Sequence, residues 1–164
     1  MDMRDRTRQW RIRKNRTACI LNDVDLFSGC TVKQLRAVAQ LVCPIAVKRD
    51  RVIVRAGDCC DQLVFVLSGE AVTSAPNRDA DVLGPGAVFG EQALLPGSVE
   101  IATVTATTAM ELLVASQVEL REMVRIAPSI EPRLLAGVAR QSPAVQPEAV
   151  EVGRTLGPQV VFTA

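Results

Sequence analysis

Between residues 89 and 104 the chain reads FGEQALLPGSVEIATV. Gly90 allows a sharp turn, Glu91 supplies a carboxylate, and a short apolar helical stretch opens directly behind it. Backbone N–H groups at such a helix start can hold an anion. Where a cation would complete the site, the chain supplies Glu100. Each carboxylate also has a plainer reading. Glu91 in a first helical turn can serve as a dipole partner or cap, and Glu100 can be a solvated surface group.

Other chemistry is sparse. The chain has no histidine and no tyrosine, and no motif sets a base beside a serine or cysteine, so an enzyme is not expected. Its five cysteines, an odd number, fit reduced thiols in a cytoplasmic protein rather than a disulfide framework. Cys59 and Cys60 are adjacent, which suits neither a mutual bridge nor the spacing of a zinc site, so no metal is expected.

Charge is unevenly spread. The net value is +1, yet residues 1–16 carry Arg4, Arg6, Arg8, Arg11, Arg13, Lys14 and Arg16 against Asp2 and Asp5. This basic arm, with Trp10 in its midst, is a candidate contact for a partner or for nucleic acid, through salt-dependent phosphate contacts and base stacking. The alternative is a solvated arm. It lacks the apolar run of a secretory signal, and no stretch approaches the ~18 apolar residues of a membrane span.

Three segments are expected to carry these groups: an arm at 1–18, a domain at 19–141 and a Pro-containing tail at 142–164. In the domain, Thr31 and Gln34 form a capping box before the stripe Val32, Leu35, Val38, Ala39 and Val42, with Pro44 expected to end that helix. Short strands follow to about residue 115, in RVIVRAGD, QLVFVLSGEAVTSA, DVLGPGAVFGE and IATVTATTAMELLVA, punctuated by glycine turns. Their spacing predicts a mainly β domain with flanking helices, an antiparallel jelly-roll-like β-roll. Ser116 and Glu119 form a second capping box, Pro128 breaks the chain, and a last helix runs over about 129–140 with Ile130, Leu134, Leu135 and Val138 on one side. One core is expected from Leu35, Val38, Phe65, Val66, Leu67, Phe89, Leu94, Val104, Leu112 and Leu113.

Taken in order, VDLFSGCTVKQLRAVA, AGDCCDQLVFVLSGEA, LGPGAVFGEQALL and ATVTATT make residues 21–140 resemble the cyclic-nucleotide-binding domain. This is the sensor module of catabolite-activator-type regulators, cyclic-nucleotide-dependent kinases and related channels. The resemblance makes 89–104 the phosphate-binding cassette. It implies that Phe89 and Gly90 shape the turn and that Glu91 accepts a hydrogen bond from the ribose 2′-OH. Backbone N–H groups around Gln92, Ala93 and Leu94 would then meet the cyclic phosphate. The family's neutralising arginine, preceded by proline and followed by a small residue, is matched here by Val99, Glu100 and Ile101, with Ala102 behind them. Loss of a charge-assisted hydrogen bond worth ~1.5–3 kcal/mol, together with a like charge nearby, removes roughly two to four decades of affinity. cAMP or cGMP is therefore disfavoured as a ligand. A module acting through a protein partner is expected instead, the alternative being a working sensor of a cyclic nucleotide or related small molecule. A helix-turn-helix reading head would follow the last helix, and only 24 Pro-containing residues stand there.

Overall fold

Two reciprocal capping boxes frame the β region. Thr31 Oγ1 accepts from the Gln34 N–H at 3.2 Å, while Gln34 Oε1 accepts from the Thr31 N–H at 2.8 Å. Ser116 and Glu119 repeat the arrangement at 3.3 and 2.7 Å. Each box satisfies two otherwise orphaned helix donors. The computed structural model describes residues 16–141. Its helices are α1 at 16–22, α2 (Val32–Val38), α3 (Gln117–Ile126) and α4 (Glu131–Gln141). Short 3-10 turns lie at Asp25–Phe27, Glu91–Leu94 and Pro128–Ile130.

Between α2 and α3 run eight strands: β1 (Cys43–Val47), β2 (Val52–Val54), β3 (Gln62–Ser68), β4 (Ala71–Ser74), β5 (Val82–Leu83), β6 (Val88–Phe89), β7 (Thr103–Ala106) and β8 (Met110–Ser116). They form two four-stranded antiparallel sheets, ordered β1-β8-β3-β6 and β2-β7-β4-β5, so the expected β-roll with flanking helices is the observed architecture.

The period-two geometry of a strand explains the interior. Leu63, Phe65, Leu113 and Ala115 point to one face of the central β3–β8 pair and join Leu21, Phe27, Leu35, Val38, Leu120, Met123, Ile130 and Leu134 under the helices. Val64, Val66, Met110 and Leu112 point to the other face and meet Phe89, Val104, Ala71 and Ala106 between the sheets. Two clusters therefore replace the single core expected from the sequence, because β3 is buried on both sides. Leu67 and Leu94 are only partly buried, against the helical cluster. Phe27 and Phe65 join the helical layer to the sheet, with ring centroids 5.6 Å apart.

Two local expectations are corrected. Pro44 does not end a helix: α2 stops at Val38, and Pro44 lies inside β1, an edge strand, where a missing N–H is tolerated. Val32, assigned to the apolar stripe, is 63% exposed, and Leu135 on α4 is 45% exposed. In α1, Ala18 and Leu21 are buried in the helical cluster. Arg4, Arg6, Arg8, Trp10, Arg11, Arg13 and Lys14 lie outside the described residues, as does 142–164, while Arg16 sits exposed on α1.

Candidate functional site

The site is built where β6 turns into the 3-10 stretch Glu91–Leu94. Gly90 makes the turn at φ 84°, a left-handed conformation that favours glycine. A side chain there would also run into the Gln62 carbonyl oxygen, so the position is closed to other residues twice over. Behind the turn, Ala93 N–H donates to the Gly90 carbonyl at 3.0 Å, and Gln117 of α3 donates to the Ala93 carbonyl at 2.9 Å. The turn is held from the helical side as well as from the sheet.

Glu100 is fixed by backbone pairing with the 57–60 loop. Its N–H donates to the Asp58 carbonyl at 2.8 Å, its carbonyl accepts from Gly57 at 2.7 Å, and Cys60 N–H donates to Ser98 at 2.9 Å. Val99 bridges Cys59 and stays half exposed. The Glu100 carboxylate is half-buried. Desolvation raises its pKa, opposed by a hydrogen bond from the Cys60 thiol and reinforced by Asp61 and Asp58. Burial and the same carboxylate push the Cys60 thiol up to about 12. The thiol's one proton has a second acceptor within reach, the Gly90 carbonyl at 3.7 Å. Glu100, Cys60 and the Gly90 turn thus form one connected polar group.

Phe89, Gly90, Glu100, Ile101 and Ala102 line one cavity of about 140 Å³. Glu91, Gln92, Ala93 and Leu94 do not. Glu91 and Gln92 are 6% exposed, and Glu91 lies against α4, its Oε1 2.6 Å from the point a Cβ at Gly137 would occupy. The carboxylate matched to a sugar contact is therefore packed on a helix. Ala93 is fully buried and Leu94 packs on the helical cluster.

The rest of the lining includes residues of β4, β5 and their connection: Thr73, Ala75, Arg78, Asp79, Asp81 and Leu83. None of these residues stands out in the sequence. The DxD pattern at Asp79 and Asp81 is visible in the sequence, but only the folded hairpin brings it into the cavity that Glu100 lines. Arg78, Asp79, Asp81 and Glu100 give the lining a formal charge of −2. Arg78 reaches past the cavity to donate to the Arg140 carbonyl on α4 at 3.4 Å. The ion pairs found among the described residues are Arg49–Asp50 and Arg125–Glu122, and neither supplies a cation to Glu100. No cluster of metal-ligating side chains occurs among the described residues, and none of their helices is long and apolar enough to cross a membrane.

A two-sheet roll with a glycine-turned cassette and a cavity beside it is the fold of the cyclic-nucleotide-binding domains. The sequence profile of the cyclic nucleotide-binding domain matches residues 44–126, half of the chain, and the protein belongs to that family. Among curated relatives, a cyclic nucleotide-gated potassium channel of Rhizobium etli is 32% identical over 107 residues, 65% of this chain but only 30% of the channel. Among solved structures, cAMP-bound PfPKA-R superposes with a TM-score of 0.71 at 22% identity, covering 79% of this chain and 45% of that one. The catabolite activator protein of Thermus thermophilus gives 0.62 at 25% identity, covering 71% and 57%.

Proposed function

We propose that the chain is a regulatory module of the cyclic-nucleotide-binding family that works through a protein partner, binds cAMP and cGMP weakly or not at all, and catalyses no reaction. The observation that carries this reading is Glu100, a half-buried carboxylate lining the cavity at the position matched to the family's arginine. A cyclic phosphate brought there would meet a like charge. At ~4 Å and an effective dielectric near 20, that repulsion amounts to ~4 kcal/mol. The small cavity adds a steric argument, because drug-sized ligands occupy clefts of roughly 300–1,000 Å³. A cytoplasmic setting is proposed with it, supported by five cysteines that are all free.

Arg78 favours the second reading, a working sensor of a cyclic nucleotide or related molecule. It is a cation in the lining of the same cavity. Calorimetric titration of wild type and Glu100→Arg with cAMP and cGMP separates the two. Wild type is expected to show no binding at micromolar ligand, and Glu100→Arg to gain affinity by removing a repulsion and adding a planar donor. Low-micromolar binding by wild type would overturn the reading and promote the sensor.

A further inference from the structure

On the side of the roll formed by β1 and β2, the two sheets leave their edges open next to each other. Among the described residues, β1 pairs only with β8 and β2 only with β7. Neither strand carries a charged residue along its length: β1 reads Cys-Pro-Ile-Ala-Val and β2 reads Val-Ile-Val. Proteins ordinarily guard such edges with charge, prolines or bulges. Here Pro44 and the register shift in β2 are the guards present within the strands, and four of the five β1 residues stay exposed.

A groove of about 520 Å³ runs between the strands. Its floor is Ile45, Ala46, Val47, Val52 and Ile53, and Ile45 is 42% exposed. Val47 and Ile53 back onto the cluster between the sheets, so the floor is anchored in the interior. Lys48 and Arg51 form its basic end, both exposed. The turn carrying them is fixed: Asp50, at φ 65°, donates to the Ala106 carbonyl at 2.8 Å, and Ala106 donates back to Arg51 at 2.9 Å. Asp50 pairs with Arg49 at 3.6 Å, and among the described residues no carboxylate pairs with Lys48 or Arg51. Glu111 on β8, opposite Ala46, does not line the groove.

We propose that this groove is a docking site for an extended acidic segment of a partner protein, added as a strand along an open edge. Main-chain pairing would supply affinity. Alternate apolar side chains would fill the Ile45–Ile53 floor, and carboxylates would meet Lys48 and Arg51. The rim's sign disfavours the chain's own basic arm as occupant. The proposal rests on the partner-binding reading above and adds the surface and the chemistry of the partner.

The test uses the full chain and two labelled hexapeptides, Glu-Val-Glu-Val-Glu-Val and Lys-Val-Lys-Val-Lys-Val, followed by fluorescence anisotropy. The acidic peptide is expected to bind and the basic one not, with affinity falling as salt rises. Lys48→Glu/Arg51→Glu should weaken the acidic peptide by about tenfold or more at an unchanged melting temperature. Ile45→Asp, a second and independent variant, should do the same by spoiling the floor. Equal binding of the two peptides, or acidic binding indifferent to both variants, would overturn the proposal. The same preparations titrated with cAMP keep the two questions apart: nucleotide binding counts against the function proposed above and leaves the groove untouched.

Discussion

Gly137 of α4 is the residue on which the Glu91 side chain rests, with Oε1, Cδ and Cγ at 2.6, 3.0 and 3.1 Å from where a Cβ would stand. In a helix interior, alanine is preferred to glycine by about 1 kcal/mol. The contact works against that preference. Overpacking a filled site costs ~1–3 kcal/mol, so Gly137→Ala is expected to be net destabilising. In Glu91→Ala the space opens, and Gly137→Ala should then stabilise. A double-mutant cycle by urea unfolding checks this, and additivity of the two changes would show that the contact carries no energy.

Glu100 should penalise the fold when charged. Its folded-state pKa is raised, so the protonated form is favoured by folding. Below the ordinary carboxylate range the group is neutral in both states and costs nothing. As pH rises through the elevated folded value, the native state alone resists ionisation and stability falls. Glu100→Gln is therefore expected to raise the melting temperature at neutral pH, with the gain shrinking toward zero in acid. A gain independent of pH would mean that charge is not the cause.

The cysteines should divide sharply. Cys60 is buried, and its thiol is pushed up to about 12. Cys19, Cys43 and Cys59 are exposed. Since the thiolate is the reactive form, iodoacetamide at neutral pH should modify the exposed three and spare Cys60 until the protein is unfolded, as read by peptide mass spectrometry. Early labelling of Cys60 would place it outside the buried group with Glu100 and Gly90.

Leu113 lies in the helical cluster, 1% exposed, on the strand that pairs with both β1 and β3. Leu113→Ala should cost ~2–5 kcal/mol in denaturant unfolding. An unchanged midpoint would contradict its place in that cluster.

The alternating strands and both capping boxes were legible because their signals are local: a period of two, a period of 3.6, a threonine or serine three residues before glutamine or glutamate. Gly90 and Glu100 could also be placed, since the motif around them is contiguous. What escaped depended on distant chain. β1 was hidden by Pro44, which reads as a helix stop until β8 is seen beside it. The division of Phe65 from Val66 into different clusters requires both faces of β3 to be covered, by helices on one side and the second sheet on the other. Glu91 turns toward α4 because Gly137, 46 positions further along the sequence, leaves it room. Arg78, Asp79 and Asp81 join the cavity only through the fold of their hairpin.

Arg133 of α4 donates to the backbone carbonyls of Leu26 and Ser28, at 3.3 and 2.7 Å, and Gln34 of α2 donates to the carbonyl of Ile126 at 3.0 Å. A backbone carbonyl is present whatever residue occupies the position. The ties that join the helical layer therefore constrain unequally: they tolerate drift at Ser28 and at other accepting positions, and they bind selection to the donors. Among relatives that keep this packing, Arg133 and Gln34 should change rarely while residue 28 changes freely. Loss of the arginine should coincide with remodelling of the turn at 25–28.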